Sequence, residues 1–225
     1  MVSCAQRIKV PINRMMEPEV MGGGLGVEYR DLQYSRGVLN FSDNSTSNPL
    51  TMSTVKNKEF YMGLGLGQIV DLFVRVPEES SSLIGLKIQL IGSPVKAGGV
   101  GHSLAFTLGT GSERDSFEQN FTIDLKSDVT DFSLIHGYRL SPFFLIYEGV
   151  SVSNYTFQGD ITGAVGLDSD ELEYEARNIL GAFAGLSLGY HTFKLKMEYA
   201  VQRIKWTYTD EKVFQAFGWS LSAGW

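Results

Sequence analysis

No apolar run in the chain approaches the roughly 20 residues that a membrane-spanning helix needs, which excludes a helical membrane protein. There is one cysteine, Cys4, so no internal disulfide can form. Cations are in short supply: 19 lysines and arginines face 25 acids, giving a net charge of −6 and a pI near 5.1. That balance speaks against nucleic acid as a partner. Proline is scarce at 6, while glycine reaches 25 and aromatics 12%. Many strands joined by tight turns fit this mixture. A mean hydropathy of −0.04 suits a barrel whose strands alternate between two environments. The 225 residues suffice for one closed barrel or one globular domain.

Period-two alternation dominates the chain. It is cleanest at the C-terminus, where Val213, Phe217, Trp219, Leu221, Ala223 and Trp225 share one face. Opposite them stand Phe214, Ala216, Gly218, Ser220, Ser222 and Gly224, mostly small. A helix would mix these two sets, because its side chains recur every ~3.6 residues. The same pattern runs through Met21 to Arg30, Phe60 to Val76, Ile84 to Ile91, Ser103 to Gly109 and Asp131 to Arg139. It returns in Leu180 to Tyr190 and Phe193 to Gln202, after which a flip of phase predicts a bulge near Gln202 or a strand that has already left the membrane. The faces of the strand within Pro142 to Phe157 stay unassigned. About ten strands result, with eight as the alternative.

Their connections alternate broadly between long and short. Long ones span Arg36 to Lys58, Thr110 to Lys126 and Gln158 to Ala176, with an extra protruding ribbon near Asn120 to Leu125 as another option. Short turns at one end and longer loops at the other, with an even strand count, describe an antiparallel up-and-down transmembrane β-barrel. A soluble barrel alternates too, but its second face must be hydrophilic. Here that face is rich in glycine: Gly22, Gly24, Gly26, Gly181, Gly185 and Gly189 would solubilise little. Inside a narrow lumen they leave room for larger neighbours. Tyr29, Phe60, Tyr138, Phe193, Trp206, Tyr208 and Trp225, at strand ends, are expected in the interfacial aromatic girdles.

The last strand carries a family resemblance. Phe217, Trp219, Leu221, Ala223 and the terminal Trp225 resemble the aromatic assembly signal of Gram-negative outer-membrane β-barrels, which usually ends in Phe. The resemblance implies an outer-membrane location, both termini in the periplasm, and the barrel-assembly machinery, membrane lipids and lipopolysaccharide as partners. Homo-oligomerisation through the wall is left open. Met1 to Ala5 resembles the end of a bacterial lipoprotein signal, which would make Cys4 a lipidation site; a free thiol is the other reading. Residues 1–18 are expected to form a periplasmic leader and residues 19–225 the barrel.

The expected lumen set is Glu28, Arg30, Asp71, Arg75, Lys87, Asp131, Arg139, Lys194, Lys196 and Glu198, with Glu148 as a further candidate. Such charges either pair into a plug or line a constriction for small solutes, and the plug is preferred because unpaired charges in a narrow lumen are costly. Of the three histidines, His102 and His191 fall near turns. His136 lies on the apolar face beside Tyr138, where it packs at the interface or meets a lipid headgroup or second barrel. Omptin proteases, also ten-stranded, carry acids and histidine at the extracellular rim; none of these histidines falls there. The acids Asp168, Asp170, Glu171, Glu173 and Glu175 lack calcium-loop spacing and are expected to form a solvated loop. Neither catalysis, metal nor cofactor is expected. The role is structural or surface interaction, with a narrow pore as alternative and a barrel hydrolase a distant third.

Overall fold

The computed structural model describes residues 4–41, 51–78, 80–118, 122–162, 171–207 and 210–224. Eleven strands form one sheet: β1 (Cys4–Pro11), β2 (Gly24–Phe41), β3 (Thr51–Gly65), β4 (Val70–Pro77), β5 (Leu83–Ile91) and β6 (Gly101–Glu118) come first. They are followed by β7 (Thr122–Ser141), β8 (Phe144–Thr162), β9 (Glu171–Tyr190), β10 (Phe193–Ile204) and β11 (Lys212–Gly224). Successive strands from β2 to β11 pair antiparallel, and β11 returns to β2, closing a ring of ten. Closure satisfies the backbone groups that an open sheet leaves at its edges. The eight-strand alternative is thereby set aside.

Short connections cluster at one end, for example Leu66–Ile69, Pro142–Phe143 and His191–Thr192. This is the turn end, and the other is the loop end. Gly22, Gly23 and Gly24, with φ of 77°, 94° and 95°, turn the chain into β2 at the turn end. Side chains other than glycine rarely adopt that conformation.

The wall is uneven. β4 and β5 have 8 and 9 residues, whereas β6 to β9 have 18 to 20. Much of the stretches expected as long loops is therefore strand. Thr110 to Lys126 is mostly a hairpin, paired from Thr110↔Thr130 to Glu118↔Thr122. Residues 42–50 and 163–170, with Asp168 and Asp170, lie outside the described residues, while Glu171, Glu173 and Glu175 belong to β9.

Apolar side chains face outward around the ring. Phe60, Leu64, Leu72, Ile84, Leu108, Phe132, Leu134, Ile146, Val150, Leu180, Tyr199 and Phe217 are all exposed. The oily face of each strand thus points away from the lumen, the reverse of a soluble barrel. This chain is a closed β-barrel with an apolar outer wall, the arrangement of a barrel that spans a membrane.

Inward glycines sit opposite large rings. Phe73 pairs with Gly85, Phe183 with Gly149 and Tyr147 with Gly185. A Cβ on any of these glycines would collide with its partner's ring. The ring lies over the neighbouring backbone instead, filling space that two full side chains could not share.

Three expectations change. No register shift occurs at Gln202; β10 keeps its phase, so Arg203 is exposed and Ile204 is buried. Beyond that strand Trp206 is buried against Phe157 rather than standing in a girdle. An inward apolar cluster toward the loop end, including Tyr155, Ile179 and Phe214, explains both. The interior is therefore partly apolar, not solely glycine and charge. In β8, Ile146 and Val150 point out while Leu145 and Tyr147 point in, which settles the unassigned faces.

The N-terminus departs furthest from expectation. β1 pairs with the loop-end half of β2, from Cys4↔Phe41 to Pro11↔Tyr34. It takes up the β2 edge beyond the last β11 partner, Asp31. Residues 12–20 are then buried within the ring and lead to the turn end, where Val95 donates its amide hydrogen to the Val20 carbonyl. The segment runs through the barrel, and Cys4 and Gly224 lie at its opposite ends.

Candidate functional site: the plugged lumen

The ten charged residues expected in the lumen are all buried inside the ring. They comprise six cations and four carboxylates, an imbalance a narrow interior does not tolerate. Four charged residues outside that set correct it. Arg14, Glu17 and Glu19 come from the N-terminal segment and Glu59 from β3. With them, seven cations meet seven carboxylates around the segment; Lys9, in β1, is a further buried cation.

Glu198 holds the centre. Its carboxylate accepts the backbone amides of Arg14 and Met15 at 2.7 and 2.8 Å, with the Tyr147 hydroxyl at 3.4 Å. An acceptor-only group is suited to a segment in no regular structure, whose amides need partners. Arg14 in turn donates to the Pro11 carbonyl and to Ser153 Oγ, both at 2.7 Å, and pairs with Asp131 at 3.1 Å.

Toward the turn end the segment is pinned from both sides. Glu17 pairs with Lys194, and Glu19 with Arg139 through a two-pronged contact. The Val20 amide donates to Gln89 Oε1 at 2.8 Å, and the Met21 amide to Asp71 at 3.0 Å. Asp71 also pairs with Lys87 at 3.0 Å.

A second network ties β2, β3 and β4 together. Arg30, fully buried, donates to Glu28 at 2.9 Å and to Glu59 at 2.7 Å. Glu59 also accepts from Arg75 at 2.9 and 2.8 Å and from the Tyr34 hydroxyl at 2.8 Å. The Arg30 guanidinium stacks over Tyr61, 4.1 Å from its centroid. Lys196 completes the set on Glu28 at 2.7 Å.

A cavity of about 80 Å³ remains at the turn-end mouth, between the segment and the walls. Met15, Met21, Glu17, Lys194, Lys196 and His191 are among its lining residues.

Elsewhere the expected residues scatter. Phe217 and Leu221 face outward on β11, and Trp225 is outside the described residues. Glu148 also faces outward, not into the lumen, beside His136. Among the described residues no group of histidine, cysteine and acidic side chains could hold a metal ion.

No family model matches the chain, and no curated protein does. Among solved structures it is similar to Ail, the attachment invasion locus protein of Yersinia pestis, at 13% identity and a TM-score of 0.39, over 91% of this chain and 98% of Ail. Ail in complex with the heparin analogue sucrose octasulfate matches at 10% identity and 0.37, over 90% of this chain and 95% of the other. The outer membrane protease OmpT of Escherichia coli matches at 10% and 0.34, over 90% and 92%.

Proposed function

We propose that this protein is an outer-membrane barrel that closes its own lumen with its N-terminal segment and serves a structural or surface-interaction role. The turn end then faces the periplasm, as short turns do in such barrels. The long strands β6 to β9 project outward at the loop end and carry recognition, including contact with lipopolysaccharide. Outward residues Phe217, Trp219 and Leu221 of β11 serve as the assembly signal.

The observation that carries the reading is the capture of the Arg14 and Met15 amides by Glu198. Ionic and backbone contacts on several strands hold this segment across the bore. A pore lining would leave charges facing water, whereas these are spent on one another and on the segment. Planar-bilayer recording of the purified full chain tests it. A silent membrane, with protein that migrates faster unheated than boiled in detergent gels, is expected. Steady single-channel steps altered by Arg75→Ala or Lys196→Ala would establish the pore instead.

A further inference from the structure

In its half nearer the turn end, the outward wall of β6, β7 and β8 is apolar except at one place. His102, His136 and Glu148 stand there together, all facing away from the lumen. His102 Nδ1 and His136 Nε2 are 3.1 Å apart, with the rings stacked at 5.4 Å. His136 Nδ1 lies 3.6 Å from Glu148, and the His102 ring rests on Tyr138 at 4.6 Å. The Glu148 side chain is 72% exposed and that of His136 43%.

Depth makes this cluster unusual. Glu148 is four residues beyond Phe144, where β8 begins at the turn end. At ~3.3 Å per residue and a tilt near ~40°, that puts it on the order of 10 Å above the turn. Exposed apolar residues flank it on both sides: Tyr138 and Ile146 nearer the turn, Leu134 and Val150 farther away. Ionisable groups at membrane depth are costly and normally find a partner. Among the described residues Glu148 has only His136, at a distance too long for a hydrogen bond.

We propose that this wall binds the headgroup of one phospholipid, of the class that carries both a phosphate and a primary ammonium. The carboxylate of Glu148 can only accept hydrogen bonds, so it selects a group with N–H donors. A quaternary ammonium has none. The phosphate lies toward the turn end, at His102, whose imidazole can donate an N–H to it. The two ends of the headgroup thereby meet the two ends of the cluster. The inference rests on the reading of the turn end as periplasmic, which sets the cluster at the phospholipid leaflet.

The test uses the full chain in bilayers of equal parts phosphatidylethanolamine, phosphatidylcholine and phosphatidylglycerol with matched acyl chains. Lipids retained by the released protein are counted by mass spectrometry. Phosphatidylethanolamine should be enriched over the choline lipid by about tenfold, as one charge-assisted hydrogen bond gives. Glu148→Gln, which keeps the volume, should abolish the enrichment, and His102→Ala should lower it. Equal retention of the three lipids by protein that inserts and shifts normally on gels overturns the lipid site alone. Failure to insert overturns the barrel reading beneath it. A dimer that Glu148→Gln dissociates, with unchanged lipid content, makes a second copy the occupant and also overturns the proposal.

Discussion

Charged groups occur at membrane depth on both surfaces of this barrel, and the two surfaces treat them differently. Inside, Glu59 has three partners and Glu198 captures two amides. Outside, Glu148 meets one histidine, loosely. The inner carboxylates are buried from water and from lipid, so each must be neutralised by the protein itself. The exterior borders a mobile phase that brings its own headgroups. Dense pairing marks charge used to hold the chain together, and sparse pairing marks charge left for something else.

If that contrast is right, Glu59→Ala should do the most damage. It strands Arg75 and the Tyr34 hydroxyl and takes from Arg30 one of its two carboxylates, all at buried side chains. A loss of about 3–5 kcal/mol is expected, as when one partner of a buried ion pair is removed. Urea titration of protein refolded in detergent, followed by heat-modifiability, reads it. A shift below about 1 kcal/mol would mean that water reaches this network. Gly149→Ala comes next, because the new methyl meets the Phe183 ring and the Leu134 carbonyl. Overpacking of this kind costs about 1–3 kcal/mol. Phe183→Leu in the same chain should recover part of the loss, and no recovery would show that the backbone contact dominates.

The wall was legible in the sequence because alternation survives even where single residues vary. Strand number, outward stripe and the inward placement of Arg30 or Lys196 all follow from counting in twos. Two things did not follow. Phase says whether a side chain points in or out, but it does not say that Ile204 and Trp206 point in while being apolar; that depends on the inward apolar cluster they join, against which Phe157 packs. The plug was hidden for a different reason. Residues 12–20 adopt no regular structure, so they carry no periodicity to read. A signal for them exists in the charges: six expected lumen cations face four carboxylates, while Glu17 and Glu19 lie in and just beyond the stretch read as a leader. Electroneutrality of a closed interior would have drawn them in.

On the outer wall the sign of the effect should reverse. Glu148→Leu removes a carboxylate from the apolar band and continues the stripe of Ile146 and Val150. Stability should hold or rise by about 1 kcal/mol, since acidic side chains on the lipid face cost less than basic ones. A fall of more than about 1 kcal/mol in the same urea titration would mean that Glu148 supports the fold, and the division between the two surfaces would fail.

The smallest effect belongs to charges that reach neither lumen nor lipid. Arg203 and Glu211 pair at 3.2 Å at the loop end, with side chains 56% and 43% exposed. Both keep most of their contact with water whether or not they touch. Glu211→Gln should therefore cost less than about 1 kcal/mol, a difference that salt screens further. Repeating the urea titration at low and high salt separates this pair from Glu59, whose partners are too deeply buried for ions to reach. A salt-insensitive loss at Glu211 comparable to that at Glu59 would show that burial is not what separates strong pairs from weak ones in this barrel.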